Sequence, residues 1–175
     1  MEDCRVDTGN NVERADRDTG FPVRVARHDD LDGICEVRRR AGRSTSETFT
    51  RVISDAINDP ARLVAVAEAD GELVGWAATK YWPNYDGSAP QGHYLMGITV
   101  LPERRRLGIG HALIAARIQW IRHRADSVTF FVNATNAASI AAHQRWSFQE
   151  ISRGTEFRGI QFVSGLGLLF YAQLN

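Results

Sequence analysis

The segment Val100-Leu-Pro-Glu-Arg-Arg-Arg-Leu-Gly-Ile-Gly110-His111 sets the architecture of this 175-residue chain. An apolar strand ends at Val100, Pro102 breaks it, and Gly108 and Gly110 open a long helix. The first N–H groups of a helix have no partner inside it, and with the helix dipole they form a ready site for an anion such as a pyrophosphate. Gly108 and Gly110 remove side chains where the backbone must approach such a group, and Arg104, Arg105 and Arg106 add positive charge at that mouth. The same letters also describe a plain tight turn beside a solvated basic face, because short glycine patterns recur by chance. Neither the three-glycine dinucleotide pattern nor a phosphate loop ending in Gly-Lys-Ser/Thr is met.

Outward from this segment, hydrophobic periodicity assigns the elements. Upstream, Val23 to Ala26 alternates apolar and charged residues, as a short strand does. Asp29 or Asp30 is placed to cap a helix with Leu31, Ile34 and Val37 on one face. A Gly-Arg-Ser-Thr-Ser loop leads to a second helix over 47–58, ended by Asp59-Pro60. Residues 62–68 read as a strand, Asp70-Gly71 as a hairpin turn, 72–81 as the return strand, 82–91 as a turn-rich loop and 92–100 as a further strand. Downstream, the helix runs from about Arg106 to Arg124, with Ile114, Ile118 and Ile121 as its apolar stripe. Residues 128–132 are apolar on both faces, which predicts a central strand. A helix over 136–145 follows, then two more strands around the Arg158-Gly159 turn. The order β-α-α-β-β-β-α-β-α-β-β predicts an α/β (α+β) domain, a mixed sheet with helices on its faces.

Composition bounds the function. A chain of this length makes one domain, here residues 21–175. Hydrophobic residues at 43% and charged residues at 24% are ordinary for a globular chain. Lys+Arg and Asp+Glu number 21 each, a balance that speaks against nucleic acid and against a polybasic membrane face. No apolar run reaches the roughly 18 residues of a spanning helix. Residues 1–20 are polar with mixed charge and read as a loosely held or disordered tail. They lack the apolar stretch of a secretory signal and carry six acids, so a cytoplasmic protein is expected. Cys4 and Cys35 have no partner at ligand spacing, so neither a metal site nor a disulfide framework is expected.

Val-x-Pro-x-x-Arg-Arg-x-Gly-Ile-Gly closely resembles the acetyl-CoA signature of the Gcn5-related N-acetyltransferase (GNAT) superfamily, Gln/Arg-x-x-Gly-x-Gly/Ala, matched by Arg105, Gly108 and Gly110. Asn136-Ala-Ala-Ser-Ile-Ala-Ala-His-Gln-Arg-Trp-Ser-Phe148 resembles the family's second signature, Asn-x-x-Ala/Ser followed by an aromatic or His and then Gly-Phe. One helix and one strand separate the two, as in the family, and the resemblance covers residues 22–174. It implies the GNAT fold, a mixed central sheet of about seven strands with helices on both faces. It implies acetyl-CoA as co-substrate, its pantetheine arm along strand 93–100. The cofactor-binding set it implies is Ile98, Thr99, Val100, Arg105, Arg106, Leu107, Gly108, Ile109, Gly110, His111, Asn136 and Ser139. Asn136 also suits a plain helix N-cap, and both roles are compatible.

His143 stands where the family often has a Tyr that protonates the departing thiolate; an imidazole could do the same, or only pack against the cofactor. Ser147 replaces the usual Gly, which is tolerable if the backbone there is not left-handed. Strand 93–100 has no carboxylate to serve as general base. Tyr94 falls near that place, His93 is the nearest titratable group, Glu68 is a further candidate, and ordered water is the alternative.

In this fold the acceptor site is built from variable loops. Here they offer Trp82, Tyr85, Phe157 and Phe162 as aromatic surface, and Asp86, Glu47 and Glu156 as negative charge. Such a set suits a cationic amine such as an aminosugar, although each residue also has a bland packing or surface reading. The segment from Phe157 loosely resembles small bacterial acetyltransferases, some of which inactivate aminoglycosides. The reading is direct acetyl transfer to a primary amine of a small molecule, of aminoglycoside type. The oxyanion would be held by an N–H near Ile98, with no covalent enzyme intermediate and no metal. The alternatives are a peptide or protein N-acetyltransferase and a non-catalytic acyl-CoA-binding sensor. A homodimer is compatible with the resemblance; nucleic acid and membrane partners are not expected.

Overall fold

A seven-stranded sheet organises the computed structural model, which describes residues 20–174; the expected tail lies outside them apart from Gly20. In chain order the elements are β1 (Val23–Val25), α1 (Leu31–Arg40), α2 (Glu47–Asn58), β2 (Val64–Ala69), β3 (Glu72–Trp82), β4 (Gly92–Val100), α3 (Ile109–Arg122), β5 (Ser127–Asn133), α4 (Ala137–His143), β6 (Gln149–Gly154), β7 (Glu156–Phe157), β8 (Ile160–Gln161) and β9 (Gly167–Gln173). The sheet order is β1-β2-β3-β4-β5-β9-β6. Every neighbouring pair is antiparallel except β4 and β5, which are parallel. This is the mixed α+β architecture expected.

Adjacent residues of a strand point to opposite faces, so β3 shows where the helices lie. A Cβ at Gly75 would stand about 3.1–3.2 Å from Leu113 and Ile109 beside α3. The next residue, Trp76, meets Phe49 of α2 edge-on at 5.5 Å. Helices α2 and α3 therefore cover opposite faces. Apolar side chains of α3, Leu113, Ile114, Ile118 and Ile121, are buried with Val64, Val66 and Val74 of the sheet in the main core.

Local chemistry explains most boundaries. Ser46 caps α2 by accepting the Phe49 N–H at 3.2 Å. Asp70 and Gly71 both have positive φ, 55° and 78°, the geometry a two-residue hairpin needs. Asp30 does not cap α1 with its side chain. Its carboxylate accepts Arg24 at 2.6 and 2.7 Å and the Arg27 N–H at 2.6 Å, so it closes the preceding turn instead. Helix α3 starts at Ile109, three residues later than periodicity suggested, because Arg106 and Gly108 have φ of 63° and 95°. The C-terminal part holds four strands rather than two. Strands β6 and β9 pair in the sheet, and Arg158-Gly159 is the tip of a separate β7–β8 ribbon.

That ribbon is fastened to the 82–91 loop. Arg158 donates to the carbonyls of Ala89 and Pro90 and lies over the rings of Trp82 and Tyr94. Tyr94 donates its hydroxyl to the same Pro90 carbonyl. With Ala89, Phe157 and Leu169 it forms a second, small core.

Ser147 follows the turn after α4 in a left-handed conformation, φ 56° and ψ 29°. The condition under which Ser was tolerable there is thus not met, and the position stores strain that glycine would release. Ser147→Gly is expected to stabilise the fold by about 1 kcal/mol, raising Tm by roughly 2–4 °C in a thermal melt.

Candidate active site

Strands β4 and β5 are in register at a single pair, Tyr94 with Thr129. Past that pair they frame a cleft of about 860 Å3 walled by residues 95–100 of β4 and 130–133 of β5. Strand β4 is bulged there. Ala77 pairs with Ile98 and Ala78 with Met96, leaving Gly97 as an extra residue. A Cβ at Gly97 would come within 2.9 Å of the Trp76 indole, so the bulge needs glycine. The unpaired edge of β4 thus presents backbone N–H and C=O groups to the cleft instead of to a neighbouring strand.

The turn into α3 closes one end. The left-handed residues Arg106 and Gly108 fold the backbone into a concave nest, and Gly108 provides no side-chain cap. The N–H groups of Ile109, Gly110 and His111 precede the first intrahelical bond, Ala112 N–H to Gly108 C=O at 3.0 Å. Arg105 is pinned by its Nε to the Val100 carbonyl at 3.3 Å. Arg104 points elsewhere, to Asp70 at 2.7 Å. A Cβ built on Gly110 meets nothing within 4 Å, and Gly110 borders the cleft. The space a side chain there would take is therefore open for a ligand. Anion nest, arginines and free strand edge fit a molecule with a pyrophosphate at one end and an amide-bearing arm at the other, as acetyl-CoA has.

Of the residues expected to hold the cofactor, Ile98, Thr99, Val100, Arg105, Arg106, Gly108, Gly110, His111, Asn136 and Ser139 all line the cleft. Leu107 is half exposed and Ile109 is buried in the core, so both are present in the turn only through their backbone. The Asn136 side-chain oxygen Oδ1 accepts the Ser139 N–H at 3.1 Å, the N-cap role. Its side-chain nitrogen Nδ2 carries no bond among the described residues.

His143 lines the cleft and is buried, stacked on Phe130 at 4.1 Å. Its Nδ1 lies 2.7 Å from the Ser139 carbonyl, which can only accept, so Nδ1 carries the proton. Nε2 is buried with no partner. Burial, with the positive charge of Arg117 next, pushes this imidazole down to about 4. At neutral pH it is uncharged, with its lone pair on Nε2.

The other expected groups lie outside the cleft lining. Tyr94 is fully buried in the small core. His93 packs against Trp120 and Tyr81. Glu68 is tied to Arg24. Trp82 is packed on Tyr94, Tyr85 and Glu156 are exposed, and Asp86 bridges backbone-to-backbone with Ala89. Phe162 does reach the cleft, facing Phe131. Cys35 lines a different groove, between α1 and α2. The sequence reading missed Arg43, Phe131 and Arg117, which also line the cleft. Only Arg117 left a signal, a charge inside the apolar stripe between Leu113, Ile114 and Ile118, Ile121.

The pattern of the Acetyltransferase (GNAT) family matches residues 31–148, and the chain belongs to that family. A mycothiol acetyltransferase of Clavibacter sepedonicus is 30% identical over 138 residues, 74% of this chain and 43% of that protein. The chain thus spans less than half the length of that relative. An aminoglycoside N(6')-acetyltransferase type 1 of Klebsiella aerogenes is 30% identical over 134 residues, 73% of this chain and 80% of the relative. The crystal structure of a ribosomal-protein-alanine N-acetyltransferase from Brucella melitensis superposes with a TM-score of 0.71 at 25% identity, covering 87% of this chain and 99% of that one.

The depressed imidazole has a consequence for stability. The unfolded chain takes up a proton at His143 near pH 6.5, whereas the folded chain resists until about 4. Stability from this group is therefore whole above pH 6.5 and falls as the pH drops toward 4, by on the order of 3 kcal/mol in all. His143→Phe keeps a ring on Phe130 and removes the titration. Urea midpoints at pH 7 and pH 5 should differ less in this variant than in the parent.

Proposed function

We propose that this chain transfers the acetyl group of acetyl-CoA directly to a primary amine. The observation that carries the reading is the single-pair junction of β4 and β5, which opens a free strand edge beside an anion-binding helix start. Acetyl-CoA, when bound, supplies an activated thioester. The N–H groups of residues 108–111 and the Arg105 and Arg106 side chains hold its pyrophosphate. The bulged edge of β4 pairs with its arm, and an N–H near Ile98 faces the carbonyl oxygen that gains charge during attack. Phe131 and Phe162 give the reacting end apolar walls and exclude water. Neither cysteine is used. The acceptor ammonium loses its proton to water, a loss that the positive charge and low polarity of the cleft favour.

The same electrostatics guide the choice of acceptor. The ionisable groups lining the cleft, among the described residues, are Arg43, Arg105, Arg106, Arg117, His111 and His143. A polycationic aminosugar finds no carboxylate there: the acids expected to receive it, Asp86, Glu47 and Glu156, are not in the lining, and Glu47 lines the groove between α1 and α2. An amine borne by a neutral or anionic molecule, such as an amino acid or a peptide N-terminus, fits this charge better.

Free-thiol release from acetyl-CoA tests both points. Turnover is expected with amino acids or short peptides and to be weaker with aminoglycosides. Tight acetyl-CoA binding with no release across the panel would favour a non-catalytic sensor. Gly110→Val should weaken acetyl-CoA binding at least about 100-fold, because its side chain enters the nest, with little change in Tm; unchanged affinity by calorimetry would displace the pyrophosphate from this turn.

A further inference from the structure

Arg117 projects from the middle of α3 into the underside of the sheet, and none of its surface is exposed. Its Nη1 donates to two carbonyls, Ala78 at 3.2 Å and Met96 at 2.6 Å, and its Nε donates to Leu113 at 3.1 Å. Ala78 and Met96 are the residues that flank the extra Gly97 of the bulge. One guanidinium nitrogen thus fills the gap that the bulge leaves in the β3–β4 ladder. The second, Nη2, is buried without a partner; the residue borders the cleft, but none of its surface is open to it. No carboxylate pairs with this guanidinium among the described residues. Burial pushes it down to about 9, which still leaves it charged at neutral pH.

A buried, unpaired cation is costly, and native structures rarely keep one without use. Its place along the cleft suggests the use. The anion nest lies at the start of α3, and Arg117 is seven residues, roughly 10 Å, further along that helix. Met96, which it holds, is two residues from the Tyr94 pair where the strands meet. Arg117 is therefore at the narrow end where the strands meet, opposite the nest, and His143 stacks there on Phe130, the neighbour of Thr129. A cofactor anchored by its pyrophosphate presents its sulfur at that end.

We propose that Arg117 is a positioning residue that fixes the β4 bulge through Nη1 and, through the charge of its guanidinium buried behind the cleft wall, stabilises the sulfur anion released from acetyl-CoA. This rests on the acetyltransferase reading above. In the step, the amine nitrogen forms the N–C bond and gives its proton to water. The C–S bond breaks, and its electron pair leaves on sulfur as the thiolate. Arg117 supplies the charge that the neutral His143 does not, and transfers no proton itself. The thiolate takes its proton from solvent after release.

The test is the ionisation of CoA bound to the enzyme, followed by thiolate absorbance in the ultraviolet against the protein alone. The parent is expected to hold at least about tenfold more thiolate than free CoA at the same pH, a shift of roughly one pKa unit. In Arg117→Met the bound thiol should titrate as free CoA does, with kcat lowered about 100-fold and KM for acetyl-CoA within about twofold. Arg117→Lys keeps the charge and loses the two-carbonyl clamp, so it should retain the thiol shift while kcat falls about tenfold. This variant carries the test if the Met variant does not fold. Identical thiol titration in parent and variants, with kcat falling only in step with Tm, would reduce Arg117 to a structural role and overturn the proposal. Failure of the parent to bind CoA at all would instead overturn the acetyltransferase reading on which it stands.

Discussion

Everything in the site follows from the fact that two parallel strands in the middle of a sheet share a single register pair. A central strand normally satisfies its backbone on both edges. Past Tyr94, β4 does so only toward β3, and there the bulge at Gly97 breaks the ladder again. Polar groups are left in the interior of the protein without strand partners, and they must be answered by something else. One carbonyl is answered by a guanidinium from the helix beneath. The remainder face a cleft shaped for an extended arm with its own amides.

The charge layout is consistent with that geometry. Acids near the sheet are taken up by arginines away from the cleft: Asp30 and Glu68 by Arg24, Glu103 by Arg40, Asp70 by Arg104. Among the described residues the arginines of the cleft wall lack such partners, so the cavity carries a positive field focused by low-polarity walls. Within it the two groups most deeply placed at the narrow end, Arg117 and His143, compete for the same positive charge. The guanidinium holds its proton far more strongly, and the imidazole stays neutral.

Much of the fold was legible in the sequence because its signals are local. The second helix over 47–58 and strand 92–100 follow from a cap, a Pro break and periodicity, and both lie where those signals put them. The turn that borders one end of the cleft was legible for the same reason, since Gly108, Gly110 and the flanking arginines sit in one short stretch. The acceptor half was not. Trp82, Tyr85, Asp86 and Glu156 have the right chemistry, yet whether a loop side chain faces the cleft depends on how two distant segments pack. The proton on His143 was equally hidden, because it is fixed by a carbonyl one turn away and by burial. Arg117 was missed although it leaves a trace in the letters, a charge in an apolar stripe, because its partners are main-chain atoms on two strands that no periodicity reveals.

The clasp of Arg158 on the Ala89 and Pro90 carbonyls has an evolutionary reading. It joins the ribbon at 156–161 to the loop at 82–91, and neither contributes to the turn that opens α3. The two are therefore held as one unit outside that turn. A lineage that swapped only one of them would bury an unmatched guanidinium or strand two carbonyls. A graft that replaces either segment therefore has to carry both pieces at once.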